Sequence, residues 1–596
     1  MPNLLAMSFE GVLAPSFDLT CLRPGGKLPD GWGIGYYPGG EPSASVLKEP
    51  APPHGSIRSE LVKAWEHLEA SLFLLHIRTA TWGSVSDANT QPFCRSYASR
   101  DWLLAHSGSL NDRVHVSPQS PFQPVGSTDS EVVFCELMHW FCEQGYRSLG
   151  DVDPGVLREW LDKMNEHGAL TLVLTDGRDL AVYADREGRG QAYAWQVLPP
   201  YEQLSLNDEE LSVDLTRRGA KSRKGVIITS DPLTARFVPG GLDVAPNSPA
   251  AASVEGEPAW ERVPPGHLVI VRQGAIRSEV GPMASALASA ATRPLYRRPV
   301  TRPTNAEVRR YLVTHRTVYR YDNPVERSTH LLRLTPYHDR MQTLLSSQLR
   351  VSVEGKAHDY DDVFGNRVRR ALLETPYTEL VIEADSRVEL LDTDPLSFRP
   401  LHARSTIPLV WMPWQRQVLQ PFLLPPELPE TELAELVEYA MTFVERNNYD
   451  LLDTLLDINH SIREEYEYRQ GSTTNATTPF EVYAKRHGVC QDFANLFICL
   501  ARLLGVPARY VCGYIYTGPK HENQRQSEAS HAWAQVYLPE VGWKGFDPTN
   551  GILTQTEHIR VAVGRSYVDA TPTSGTIYVG GGGERLEVDV RCEPLG

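Results

Sequence analysis

Residues 488–505 read GVCQDFANLFICLARLLG, and this stretch decides how the C-terminal part of the chain is built. Phe493, Leu496, Phe497, Leu500, Leu503 and Leu504 recur at i, i+3, i+4 and i+7, the spacing of one apolar helix face, and Gly505 supplies a stop. Cys490 therefore stands in the first turn of an amphipathic helix, just after Gly488. Backbone N–H groups and the positive end of the helix dipole favour a thiolate there, and the thiolate is the useful nucleophile. Cys499 and Cys512 read as core cysteines.

A thiolate nucleophile still needs a proton shuttle for its leaving group. His531 opens HAWAQVYL, an alternating strand, after the polar loop GPKHENQRQSEAS. A second strand, GWKGF, ends in the turn Asp547-Pro548-Thr549-Asn550. Hairpin pairing of the two strands predicts Asp547 beside His531, where its carboxylate orients the imidazole and stabilises the charged form. Taken singly, a helix cysteine, a histidine beside an aromatic and a DPT turn all read as structural. Nucleophile on a helix N-terminus, with base and acid on neighbouring strands, is an arrangement for acyl transfer.

GVCQDFANL (488–496), GVPARYVCGY (505–514), SHAWAQVYLPEVGWKGFDPTN (530–550) and HIRVAVGRSYVDATPTSG (558–575) together resemble the bacterial transglutaminase-like superfamily. THRTVYRYDNPVERSTHLLRLTP (314–336) and DDVFGNRV (361–368) resemble the β-domain that commonly accompanies that core. The resemblance implies a papain/transglutaminase-like α+β core with Cys490 as nucleophile, His531 as general base and then acid, and Asp547 as its partner. It implies attack on a carboxamide or peptide carbonyl and a thioester passed to water or to an amine. Access of water against access of an amine decides between those outcomes.

Working outward, YLVTHRTVYRYDNPV, LLRLTP, LSSQLRVSVEG and ELVIEADSRVEL predict a central β-sandwich over residues 306–400. A connecting segment (401–425) leads into helical sequence near Glu432, so the catalytic core spans 426–596. Upstream, RPLYRRPVTRPTN (293–305) is rich in Pro and Arg and predicts a linker over 291–305.

Residues 1–290 mix strands and helices. SLFLLHI (71–77), LTLVL (170–174), GVIIT (225–229) and HLVIVR (267–272) are bounded as buried strands are, and VVFCELMHWFCEQG (132–145) has helical spacing. NLLAMS (3–8), DGWGIGYY (30–37), LHIRTATWG (75–83), NTQPF (89–93), LAHSGSL (104–110) and STDSE (127–131) resemble class II glutamine amidotransferase domains, whose nucleophile is the N-terminal residue. The resemblance implies an αββα sandwich of the Ntn-hydrolase kind. Active members begin Met-Cys, the cysteine's own amine acting as base. Pro2 stands here instead, and Cys21 and Cys94 cannot substitute because the mechanism needs the terminal residue. Ser107 replaces the family's Asn in HNG, an oxyanion donor of a kind worth roughly 3 kcal/mol. Arg78 matches the arginine for the glutamine carboxylate, Asp129 the acid for its amino group, and Gly108 and Thr81 also match; Trp82 stands where some members have His. A pocket that holds a glutamine- or glutamate-like ligand without hydrolysing it is the expectation. Its rivals are an intact glutaminase channelling ammonia to a Cys490 thioester, and a binding or assembly protein without chemistry.

At 596 residues the α+β chain predicts two to four domains. Its net charge of -16 argues against a nucleic-acid partner. The basic cluster Arg217, Arg218, Lys221, Arg223 and Lys224 lies among Gly and Ser and reads as a solvated loop. No apolar run approaches the ~20 residues that span a bilayer, and the N-terminal MPNLLAMSFEGVLAPSF lacks a basic region, so neither membrane nor signal peptide is expected. Eight cysteines without a CxxC pair predict reduced thiols in a cytoplasmic protein. No Cys/His cluster has zinc-ligand spacing and no DxDxDG run suggests calcium, so no metal or cofactor is expected. The expected partner is an amide-, peptide- or amino-acid-like small molecule.

Overall fold

A computed structural model describes residues 3–19, 29–40, 42–65, 68–79, 83–110, 114–207, 211–216, 222–239, 259–282, 308–391, 405–474, 476–516, 530–539 and 541–595. The chain forms two compact units, Met1–Arg297 and Arg298–Gly596, and is α+β throughout.

In the first unit the run LLAMSFEGVL becomes the strand Leu4–Leu13, inside a seven-stranded antiparallel sheet between Ala70–Arg78 and Gly225–Thr229. It is buried along nearly its whole length because both faces are covered. Leu4 and Ala6, with Leu72 and Leu74, face Leu103, Ala105, Val173 and Val182 of a six-stranded antiparallel sheet. Leu5, Met7 and Phe9 point the other way, onto Leu204, Leu206 and Val213 of a four-stranded sheet and Val62 of the helix Ile57–Ala64. Helices Asp129–Gln144 and Pro154–Asn165 cover the outer face of the six-stranded sheet through Phe134, Met138, Phe141, Leu157 and Leu161. Each such side chain contributes roughly 2 kcal/mol when fully buried. The two-sheet sandwich is thus flanked by helices on one side, while a small sheet shares the other side with one short helix. Thr128 caps the first helix by accepting from Glu131 N, and Gly145 ends it at φ +75°.

The basic cluster is not all solvated. Arg217, Arg218 and Lys221 lie outside the described residues, but Arg223 is fully buried immediately before the central strand Gly225–Thr229. Its backbone exchanges hydrogen bonds with the Tyr201 hydroxyl, and Lys224 N donates to Glu10. Proximity to a buried strand overrides local composition here.

The second unit is organised by one 25-residue strand, Val308–Leu332. Its first half lies between Tyr377–Leu391 and Arg585–Leu595, and its second between Arg367–Leu373 and Thr573–Gly580. Register shifts near Arg320 and Val325 mark the bend between the halves. These strands, with Gln342–Val351 and Gly355–Asp361, make one seven-stranded sheet rather than two separate ones, and Tyr321, Leu332, Ala371, Leu373, Leu380 and Ile382 form its buried cluster. Residues 573–595, counted with the catalytic core by sequence, are therefore strands of this β-domain. The connecting segment contains a helix, Pro413–Leu423.

In the core, the helices Glu430–Arg446, Leu451–Glu465 and Pro479–Lys485 accompany the Cys490 helix, Cys490–Leu503. The last packs on a five-stranded antiparallel sheet in the order Ile552–Leu553, Gly542–Asp547, Ser530–Leu538, Ala508–Ile515, His558–Gly564. Phe493, Leu496, Phe497 and Leu500 of the predicted apolar face are fully buried, and Phe497 stacks on Phe546 with ring centroids 5.3 Å apart. Among the described residues, no helix is long and apolar enough to cross a membrane.

The edge strand His558–Gly564 is held by side chains of the β-domain. Asn366 donates to Val563 O (2.7 Å) and accepts from Val563 N (2.8 Å); Gln342 does the same for Arg560 (2.7 and 2.8 Å). Asp339 accepts both Arg560 Nη groups at 2.7 Å. Two side-chain amides thus replace a missing neighbouring strand along this edge.

Candidate active site

Val489 caps the Cys490 helix, and Asp492 turns back to accept from Val489 N at 2.9 Å and from the Thr473 hydroxyl at 2.6 Å. Cys490 is the first helical residue and is half-buried, whereas Cys499 and Cys512 are buried and desolvation pushes each thiol up to about 12. The two core cysteines are therefore poor nucleophiles.

His531 lies in the second position of the strand Ser530–Leu538, opposite Gly513 of the neighbouring strand. Gly513 has no room for a side chain: a Cβ there would stand 2.1 Å from Ile559 O and 2.6 Å from the Trp533 ring. The hairpin ladder ends at Ala534–Phe546, so Asp547 reaches His531 diagonally rather than as a direct cross-strand partner. His531 Nε2 donates to Asp547 Oδ2 at 2.9 Å, and both side chains are fully buried. The Cys490 thiol also shares a hydrogen bond with the imidazole.

Burial alone would push the His531 imidazolium towards neutrality. The Asp547 charge and hydrogen bond, reinforced by Cys490, outweigh burial and raise its pKa to about 10. Burial likewise opposes ionisation of Asp547, but the charge and hydrogen bond of His531, with those of His558, hold its carboxyl well below the usual range.

The sequence did not reveal His558. It opens the edge strand on the far side of Ala508–Ile515, yet its Nε2 donates to the same Asp547 Oδ2 at 3.1 Å. Asn550 Nδ2 adds a third donor to Oδ2 at 2.8 Å, and the backbone N–H groups of Thr549 and Asn550 reach Oδ1 at 3.1 and 3.2 Å. The available signal was a histidine opening an otherwise apolar strand, HIRVAVG. His531, Asp547 and His558 also bring three potential metal-donor atoms within 4.8 Å of one another, a grouping that sequence spacing had not shown. Both imidazole–carboxylate separations are hydrogen-bond lengths.

In the first unit, Pro2, Thr81 and Trp82 lie outside the described residues. Arg78 is buried, which lowers its pKa, and its Nη2 donates to Ser84 O at 3.2 Å. Asp129 opens its helix and accepts from Leu110 N at 2.6 Å and Ser130 N at 2.9 Å, tying the strand Arg100–Leu110 to the helix. Gly108 has φ +150°, and a Cβ would stand 2.1 Å from Ala169 O. Ser107 pairs with Thr171 in the ladder beside it.

Residues 1–294 match the family described as glutamine amidotransferases class-II. Residues 311–389 match the bacterial transglutaminase-like N-terminal region, and 438–548 the transglutaminase-like superfamily. An uncharacterized protein of Mycobacterium tuberculosis is 33% identical over 303 residues, covering 48% of this chain and 93% of that protein. The Escherichia coli protein YafJ, provisionally named a glutamine amidotransferase, is 30% identical over 241 residues, covering 39% of this chain and 91% of its own. A solved structure from Cytophaga hutchinsonii, provisionally named a cysteine protease, is 23% identical with a TM-score of 0.40, covering 49% of this chain and 92% of its own. The chain thus belongs to the class-II glutamine amidotransferases over its N-terminal half, and its C-terminal half carries a bacterial transglutaminase-like N-terminal region (311–389) and a transglutaminase-like domain (438–548).

Proposed function

We propose that the second unit is a thiol acyltransferase or amidase working through Cys490, His531 and Asp547. The observation that carries this reading is the buried His531–Asp547 pair at 2.9 Å with its imidazole hydrogen-bonded to a half-buried cysteine at a helix N-terminus. Asp547 stabilises His531 in its charged form, so the thiol proton can rest on the imidazole while sulfur attacks an amide carbonyl. Backbone N–H groups at the start of a helix suit the oxyanion that develops. His531 then gives its proton to the departing amine, leaving a thioester on Cys490. Water or a second amine attacks the thioester, His531 takes its proton, and the thiolate leaves. The substrate is an amide-, peptide- or amino-acid-like molecule.

The first unit, in this reading, holds a glutamine- or glutamate-like group around Arg78, Gly108 and Asp129 without hydrolysing it. Pro2 lacks a thiol, and Ser107 is shorter than the asparagine it replaces. Seven unpaired cysteines among the described residues fit a reducing, cytoplasmic setting.

The test is brief alkylation with iodoacetamide at about pH 6, where an ordinary thiol near pKa 8.5 is almost wholly protonated. Peptide mass spectrometry then ranks the cysteines by rate. We expect Cys490 to react far ahead of buried Cys499 and exposed Cys142, and His531→Ala to remove that lead. Equal rates for Cys490 and Cys142 would refute the reading. Glutamine supplied to the Cys490→Ala protein should release no ammonia, and release would instead support the channelling alternative.

A further inference from the structure

Asp547 Oδ2 accepts from two imidazoles, His531 Nε2 at 2.9 Å and His558 Nε2 at 3.1 Å, and all three side chains are at most 1% exposed. A single carboxylate balances one imidazolium, so the shared oxygen raises a question of allocation: which ring carries the second proton. The surroundings of the two rings answer it. His531 has a hydrogen-bonding partner beyond Asp547, the Cys490 thiol. The Nδ1 of His558 is buried and has no hydrogen-bond partner among the described residues. Its ring stands edge-on to Trp533, with centroids 5.2 Å apart. A proton on that nitrogen would be a buried, unsatisfied N–H, which costs more than leaving a lone pair there.

We infer that His558 is a positioning residue for the triad: a neutral Nε2–H donor that fixes Asp547 Oδ2 from the edge strand and leaves the imidazolium to His531. Three features of the fold support this role. The edge strand that begins at His558 is clamped by Asn366, Gln342 and Asp339, so its position does not depend on Asp547. The remaining donors to Asp547, from Thr549 and Asn550, belong to the same turn as the acid and cannot brace it against the sheet. Besides His531 itself, His558 is the donor that does so from another strand. The charged and titratable groups around the pair are Cys490 on the helix, Asp547 itself, and Arg340, Lys544 and Arg560, which line the same 130 Å³ cavity as His558 and Trp533. Of these, Asp547 is the carboxylate within hydrogen-bonding distance of both rings, so moving it changes the charge on His531.

The inference rests on the thiol-enzyme reading, and one experiment separates the two. The alkylation rate of Cys490 is followed from pH 5 to 10 in the wild-type chain, His558→Gln and His558→Leu. Glutamine keeps an N–H that can reach Asp547, whereas leucine keeps the volume and loses the donor. We expect the leucine variant to lose at least about tenfold in rate near pH 6, the loss of one hydrogen bond to a charged group. Near pH 10, where the thiol ionises without help, its rate should match wild type. Glutamine should restore most of the loss at pH 6. A wild-type profile for the leucine variant overturns the inference, as does failure of glutamine to rescue while its thermal unfolding matches wild type. If wild-type Cys490 shows no His531-dependent lead, the enzyme reading falls and this inference with it. Should the leucine variant not fold, the ¹⁵N imidazole spectrum of the wild-type chain decides, with the signals lost in His558→Gln identifying His558. Neutral His558 protonated on Nε2 beside a doubly protonated His531 supports the inference, and the reverse allocation refutes it.

Discussion

At Asp547, five hydrogen-bond donors meet two carboxylate oxygens in a site without solvent. Removing the acid strands all five, so Asp547→Ala should lower stability by about 3–5 kcal/mol, the scale for breaking a buried charged pair. Denaturant unfolding measures this directly. Asp547→Asn keeps an acceptor for the turn N–H groups and should cost less, while still abolishing the Cys490 lead, because His531 loses its counter-charge. The same pair sets a pH window. His531 is raised to about 10 from an ordinary value near 6.5, so its contribution is complete below about pH 6.5 and is lost as pH rises towards 10. Asp547 is depressed, so its contribution is complete above the ordinary carboxylate range near 4 and is lost only as pH falls through its lower folded value. The melting temperature of the second unit should therefore decline between about pH 7 and 10. In His531→Gln that part of the decline should be missing.

Elements differ in how much of themselves they announce. The Cys490 helix was legible because its periodicity, its position after Gly488 and its stop at Gly505, at φ +74°, all agree within one short stretch. The His531 and Asp547 strands were legible because a short hairpin joins them, although the diagonal meeting of the two side chains depends on where the ladder ends. His558 was not legible as a site residue. Its bond to Asp547 depends on a strand order in which two further strands stand between the edge strand and the acid, and no local pattern encodes that order. Arg223 failed for the same kind of reason, since its burial is set by the sheet it precedes. Gly513 shows what the sheet demands at its centre: Gly513→Ala would push a methyl group into Ile559 O and Trp533, beside His531. A loss of roughly 1–3 kcal/mol is expected, with slower Cys490 alkylation from displacement of the strand, read by thermal unfolding and labelling together.

For the whole molecule, two compact units imply two separable folding events. Chains covering 1–297 and 298–596 should each give a cooperative calorimetric transition, and Cys490 reactivity should persist in the second alone. The fold class and the order of domains were readable from motifs, but the membership of 573–595 in the β-domain was not, because its partner strand lies more than 240 residues upstream by direct count of the numbering. Removing those residues should leave the second unit insoluble or molten, seen as loss of its calorimetric transition.

That distant pairing also governs how the protein is made. During synthesis the strand Val308–Leu332 leaves the ribosome with partners that soon follow it on one side, and on the other side nothing until the last strands emerge. Throughout translation of the catalytic core the nascent chain therefore carries an open β-edge of the kind that recruits chaperones or other nascent chains. Crowding of ribosomes on one message would bring such edges together, so the yield of soluble protein should depend on translation rate and chaperone supply more steeply than its final stability would suggest.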